Sequence, residues 1–110
     1  MLNEISENLR NGFYTQNPVG ANEDHARLAG EYSWLCGQAQ EILKIKASKW
    51  NNIRQNSYTK SDKQADRIWE ATDDGINEAG LKLRMKGAEK MLSALKSIMR
   101  NAENESHNTY

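Results

Sequence analysis

Seven cations fall between residues 44 and 67, namely Lys44, Lys46, Lys49, Arg54, Lys60, Lys63 and Arg67, and only Asp62 and Asp66 oppose them there, leaving a net +5. Cations at this density track a phosphate backbone with an affinity that falls as salt rises. Tyr58 and Trp50 interleave with them, and an exposed ring stacks on an unpaired base for about 1–3 kcal/mol. The chemistry on offer is binding of single-stranded nucleic acid. Lys46, Lys49, Arg54, Lys60, Lys63 and Arg67 are the candidate phosphate ligands, with Tyr58 the candidate stacking ring. Trp50 falls on an apolar helix face by periodicity and reads as core. No recognition-helix, ribbon or zinc-finger pattern is visible, so sequence-specific readout of duplex DNA is not expected. The plainer reading, ordinary solvated helix faces, stands beside the nucleic-acid one.

The imbalance is local, because 15 Lys and Arg meet 15 Asp and Glu over the 110 residues. A second basic segment, residues 82–100, also carries a net +5, from Lys82, Arg84, Lys86, Lys90, Lys96 and Arg100 against Glu89. Acids concentrate at residues 1–31 and in Glu70, Asp73, Asp74 and Glu78. An antiparallel hairpin closing near residue 58 sets the acidic stretch Glu23–Glu31 beside Lys86–Arg100. That geometry leaves 44–67 as the end with positive potential, with Glu70–Glu78 at most partly alongside Lys44 and Lys46.

Other site chemistries find no support. His25 and His107 lie far apart in the chain, and Cys36 sits on an apolar helix face, where it reads as a structural residue; nothing pairs them for nucleophilic work. The acidic cluster matches no EF-hand loop, and no histidine joins it as a transition-metal site usually requires. Gly75, Gly80 and Gly87 fall inside helix rather than between a strand and a helix, so they form no phosphate loop. The expectation is a non-enzyme with no catalytic residue, metal or cofactor.

These residues need elements to position them, and the elements are helical. Pro18 is the only proline, and runs of β-branched and aromatic residues are absent. The expected class is all-α: a long antiparallel helical hairpin with a short N-terminal helix, forming one domain over residues 1–102 with a disordered tail at 103–110. Leu2, Ile5, Leu9 and Phe13 mark the short helix, and Gln16-Asn17-Pro18-Val19-Gly20 reads as a connection. Asn22 is the expected cap of the first long helix, with Glu23 and Asp24 in its first turn. Leu28, Tyr32, Leu35, Cys36, Ala39, Ile42, Leu43, Ala47, Trp50 and Ile53 give that helix one apolar face as far as about Gln55. Trp34 and Ile45 fall on the opposite side, a matched pair able to form a second contact.

Asn56-Ser57-Tyr58-Thr59-Lys60 is the connection, and Ser61 with Gln64 is a capping box that restarts the helix, with Thr59 as the other possible cap. Ala65, Ile68 and Trp69 continue an apolar stripe to Thr72, and Asp73-Asp74-Gly75 is a point of kinking or interruption. Beyond it two stripes run in parallel. One is Ile76, Gly80, Leu83, Gly87, Met91, Ala94 and Ile98, where small residues let the first long helix approach. The other is the strict heptad Leu81, Met85, Ala88, Leu92, Leu95 and Met99, the expected homo-oligomer interface of a coiled-coil-like C-terminal side. The alternative for this heptad is cover by the N-terminal helix. The opening residues lack a basic region followed by an apolar run, and no stretch of about 18 apolar residues is present, so a soluble cytoplasmic protein with no membrane partner is expected.

The order of these segments resembles that of a known family. Tyr32-Ser33-Trp34-Leu35, Glu41-Ile42-Leu43-Lys44-Ile45-Lys46-Ala47-Ser48-Lys49, Tyr58-Thr59-Lys60-Ser61-Asp62 and Leu92-Ser93-Ala94-Leu95-Lys96-Ser97 resemble phage recombination mediators of the UvsY type, over roughly residues 26–100. The resemblance implies a non-enzymatic, oligomeric protein that binds single-stranded DNA and helps load a recombinase onto DNA covered by single-strand-binding protein, in a phage-infected bacterial cell. It implies DNA contacts at Lys46, Lys49, Arg54, Lys60 and Lys63, and ring assembly through Leu81–Ala102. The chain departs from the pattern in a shorter, more polar interhelical segment and in the uncharged run Trp50-Asn51-Asn52-Ile53. The competing reading is a small helical interaction protein, an inhibitor or adaptor of phage type, that binds a protein partner without DNA.

Overall fold

Asn17 and Pro18 decide where the first long helix begins. Proline suits the first helical position because its fixed φ is already helical and its missing N–H has no partner to lose. Asn17 supplies the cap, its Oδ1 accepting the Gly20 amide at 3.3 Å. The helix therefore starts at Pro18 rather than after Asn22, and the expected connection at 16–20 shrinks to little more than Asn17. The computed structural model describes residues 1–56 and 59–108, and five helices lie among them: α1 (Leu2–Arg10), α2 (Phe13–Gln16), α3 (Pro18–Gln55), α4 (Asp62–Ala71) and α5 (Asp73–Asn108). No strand occurs among the described residues, and α3 and α5 are the arms of a long antiparallel helical hairpin, as expected. α5 continues to Asn108, so the stretch 103–108 of the expected tail is helical; it contains neither glycine nor proline to stop it.

The single domain expected over 1–102 packs as two units, Met1–Ser33 with the chain from Lys86 onward, and Trp34–Met85. In the first unit Ile5, Tyr14, Ala21, Leu28, Ala88 and Leu95 form one buried cluster, with Leu92 and Met99 packed against it. The N-terminal segment is two short helices, not one, because Gly12 adopts φ 71°, a left-handed conformation that ends α1 and turns Tyr14 inward. Tyr14 is fully buried and donates from its hydroxyl to Asp24 Oδ2 at 2.6 Å. Burial, with the Asp24 bond and charge, pushes its hydroxyl pKa above the ordinary value. Tyr32 donates to Glu89 Oε1 at 2.5 Å and fixes the register of α3 on α5 in this unit.

This packing reassigns the heptad. Ala88 and Leu95 are 0% exposed inside the chain's own core, and Leu92 and Met99, partly buried, pack against it, so this part of the heptad faces the chain's own N-terminal residues. The physical reason is that α1, α2 and the start of α3 together supply the cover expected from a partner. Leu81 and Met85 belong to the second unit, where they line a small cavity of about 130 Å³ with Ala39 and Leu43. Gly80 and Gly87 have open space where a Cβ would stand, so close backbone approach does not explain them.

The second unit turns on one residue. Thr72 ends α4 and starts α5: its hydroxyl donates to the Trp69 carbonyl at 2.6 Å and accepts the Gly75 amide at 3.0 Å. Its extended backbone (φ −75°, ψ 160°) breaks the helix three residues before Gly75. A Cβ on Gly75 would collide with the Trp69 carbonyl oxygen and lie 2.8 Å from that carbonyl's carbon, which is why glycine stands there. Trp69, 1% exposed, and Ala65 are the buried residues of α4.

Candidate nucleic-acid interface

The described residues of the interface expected from sequence lie in the second unit, with Lys46, Lys49 and Arg54 toward the end of α3, Lys60 just before α4, and Lys63 and Arg67 in α4. Ser61 caps α4 as its spacing predicts, accepting the Gln64 amide at 3.1 Å, while Gln64 Oε1 accepts the amide of Lys60 at 2.8 Å. The cap holds the connection against α4, and Thr59, buried, gives its carbonyl to Arg54 Nη1 at 3.3 Å.

Acidic partners take up the cations of α3 one turn at a time. Lys46 Nζ sits 3.2 Å from Glu78 Oε1 and 5.8 Å from the centre of the Trp69 ring. Lys49 pairs with Asp74 at 2.5 Å, and Arg54 Nε with Asp62 at 2.7 Å. Between them Trp50 donates its indole N–H to Asp66 at 2.8 Å. Trp50 is half-buried and borders an open hollow with Leu43, Ala47 and Asn51, so it is a boundary residue rather than the core one its periodicity suggests. Four rungs thus join α3 to α4 and α5, and three of the expected phosphate ligands, Lys46, Lys49 and Arg54, hold carboxylates.

Glu78 is the most heavily held acid. It accepts from Lys46 and from Trp69 Nε1 at 3.4 Å, and Lys82 Nζ lies 3.8 Å away. Burial by itself would push its pKa up; the hydrogen bonds from Lys46 and Trp69, with the charges of Lys46 and Lys82, outweigh it and hold the carboxyl below its ordinary value.

Lys60, Lys63 and Arg67 are different. All three are exposed, and none has an ion pair among the described residues. Lys63 and Arg67 are one helical turn apart, and Lys60 lies just outside the start of α4. Lys44 is also exposed, with only a surface contact to Glu41 at 3.3 Å. Tyr58 lies outside the described residues. Over residues 44–78 the seven cations face six acids, Asp62, Asp66, Glu70, Asp73, Asp74 and Glu78, so the +5 of the basic stretch falls to +1.

The acids that take up these cations carry a signal of their own in the sequence. Asp62 and Asp66, and Asp74 and Glu78, are two pairs spaced by four, matching the three- and four-residue steps among Lys46, Lys49, Trp50 and Arg54. Among the described residues no three His, Cys, Asp or Glu side chains come together to hold a metal, and no described helix is long and apolar enough to cross a membrane. Comparison with protein-family models, with curated proteins and with solved structures gave no match to this chain.

Proposed function

We propose that this chain is a non-enzymatic, helical single-stranded-DNA-binding protein that acts as a recombination mediator, and that Lys60, Lys63 and Arg67 are its principal phosphate ligands. One observation carries the reading: these three cations are exposed and unpaired among the described residues, in a unit where Lys46, Lys49 and Arg54, the other predicted phosphate ligands, are tied to carboxylates. An unpaired surface cation surrenders no protein partner when it meets a phosphate, whereas Lys49 must first leave Asp74. The resemblance to phage mediators extends the role to loading a recombinase onto strands covered by single-strand-binding protein.

The test is binding of an unstructured oligonucleotide across a salt series. Three phosphate contacts give a slope of about −2 in log affinity against log salt, at about 0.7 per contact. Lys60→Glu with Lys63→Glu and Arg67→Glu should abolish binding at moderate salt, with helicity unchanged because all three side chains are exposed. No binding by the native chain at low salt would remove this reading and leave the helical protein-interaction one.

A further inference from the structure

One face of the second unit has no cover. On α3, Trp34, Ile42 and Ile45, and on α5, Ile76 and Leu81, line a groove of about 510 Å³. Trp34 is 55% exposed and Ile76 59%. Leu83, seven residues after Ile76 and so on the same side of α5, is 72% exposed. In the first unit the corresponding demand on α5 is met by α1 and α2, through Ile5 and Tyr14. Nothing among the described residues of the second unit does the same for Ile76 and Leu83. An aromatic anchor flanked by aliphatic side chains has the composition of an interface centre.

The polar rim of the groove points to the occupant. Its only charged lining residues are Glu41 and Arg84, one on each helix. A groove built for an acidic or a basic peptide carries an excess of the opposite charge, and this one carries none. One acid and one base are what a twofold contact needs, since each copy then offers its carboxylate to the other's guanidinium. Gln38 and Asn77, the uncharged polar residues of the rim, carry amides that both donate and accept, so they too can pair with themselves. The contact of Glu41 with Lys44 is an exposed pair and holds Glu41 weakly.

We propose that this groove is the docking surface for a second copy of the chain, in an isologous dimer with Glu41 of each copy against Arg84 of the other. This surface shares only Leu81 with the heptad seam, four of whose six residues lie in or against the chain's own core. Sedimentation velocity of the full chain over a range of concentrations tests it. The native protein should be a dimer, and Trp34→Glu or Ile76→Glu should raise the dissociation constant at least about tenfold with an unchanged far-ultraviolet spectrum. Glu41→Arg alone and Arg84→Glu alone should each weaken the dimer, and the two together should restore it. A native chain that stays monomeric at every concentration would overturn the proposal, as would a dimer indifferent to Trp34→Glu and Ile76→Glu. Failure of the double exchange to restore association would overturn the paired geometry.

Discussion

Lys46 Nζ lies 3.2 Å from Glu78 Oε1, a bond that closes a separation of 32 residues and ties α3 to α5 beside the buried Trp69. The Glu78 carboxyl has a folded-state pKa below its ordinary 4.5. The ionised form is therefore favoured by folding, and its stabilisation is complete above about 4.5 and lost as pH falls through the lower folded value. Urea midpoints measured from neutral pH into the acid range should show this loss. Glu78→Gln should flatten that acid limb.

If Lys49 and Arg54 are withheld from a strand by Asp74 and Asp62, releasing them should improve binding. Asp74→Asn and Asp62→Asn are expected to tighten single-strand binding at low salt and to steepen its salt dependence by about 0.7 per cation freed. The cost in stability should stay within about 1 kcal/mol, because both pairs are substantially exposed. Unchanged affinity in both variants would confine the interface to α4 and its approach.

Gly75 and Gly87 should respond in opposite directions to the same methyl group. Gly75→Ala forces the Trp69–Glu70 backbone to move and should destabilise by about 1–3 kcal/mol. Gly87→Ala, with nothing within 4 Å of its new carbon and helix on either side, should stabilise by about 0.4–1 kcal/mol. Chemical denaturation of the two variants gives the comparison directly.

Leu95→Ala should lower stability by about 2–5 kcal/mol, the usual loss for a leucine emptied from a core. The loss should not depend on protein concentration. Were Leu95 part of a seam between subunits, the difference in midpoint between Leu95→Ala and the native chain would change with concentration, so a dilution series of both proteins decides whether this residue serves the chain itself.

The helical class was legible because one proline and a sustained apolar period leave few alternatives, and Ser61 with Gln64 marked the start of α4 correctly. The stripes of α5 were legible too, but not which neighbour each would meet. Two apolar faces on one helix look alike in sequence; only the packing of α1 and α2 around Gly12 sends Ala88 and Leu95 inward.

The cations illustrate a different limit. A lysine on a helix reads the same whether it faces water or a carboxylate across a hairpin, and the answer depends on register. The α3–α4 contacts, residue 50 with 66 and 54 with 62, extended along an unbroken hairpin would set residue 46 opposite 70. Lys46 meets Glu78 instead, eight residues further on, because the chain breaks at Thr72 and α5 starts afresh. That offset of about two helical turns brings Asp74 and Glu78 onto the basic helix. The Asp73-Asp74-Gly75 signal marks the break, but not its consequence for the pairing.

The first unit draws on both ends of the chain, whereas the second is a single continuous stretch. Its core sets Ile5, Tyr14 and Leu28 against Ala88 and Leu95, contacts whose closure spans most of the polypeptide. During synthesis the core around Ile5 and Tyr14 lacks Ala88 and Leu95 until most of the 110 residues have been made, while residues 34–85 already hold their own ion pairs and their own buried tryptophan. Local contacts close sooner than distant ones. Pulse-labelled hydrogen exchange should then find Trp69's surroundings protected before α1 and α2, and the opposite order would show that the chain's ends meet first.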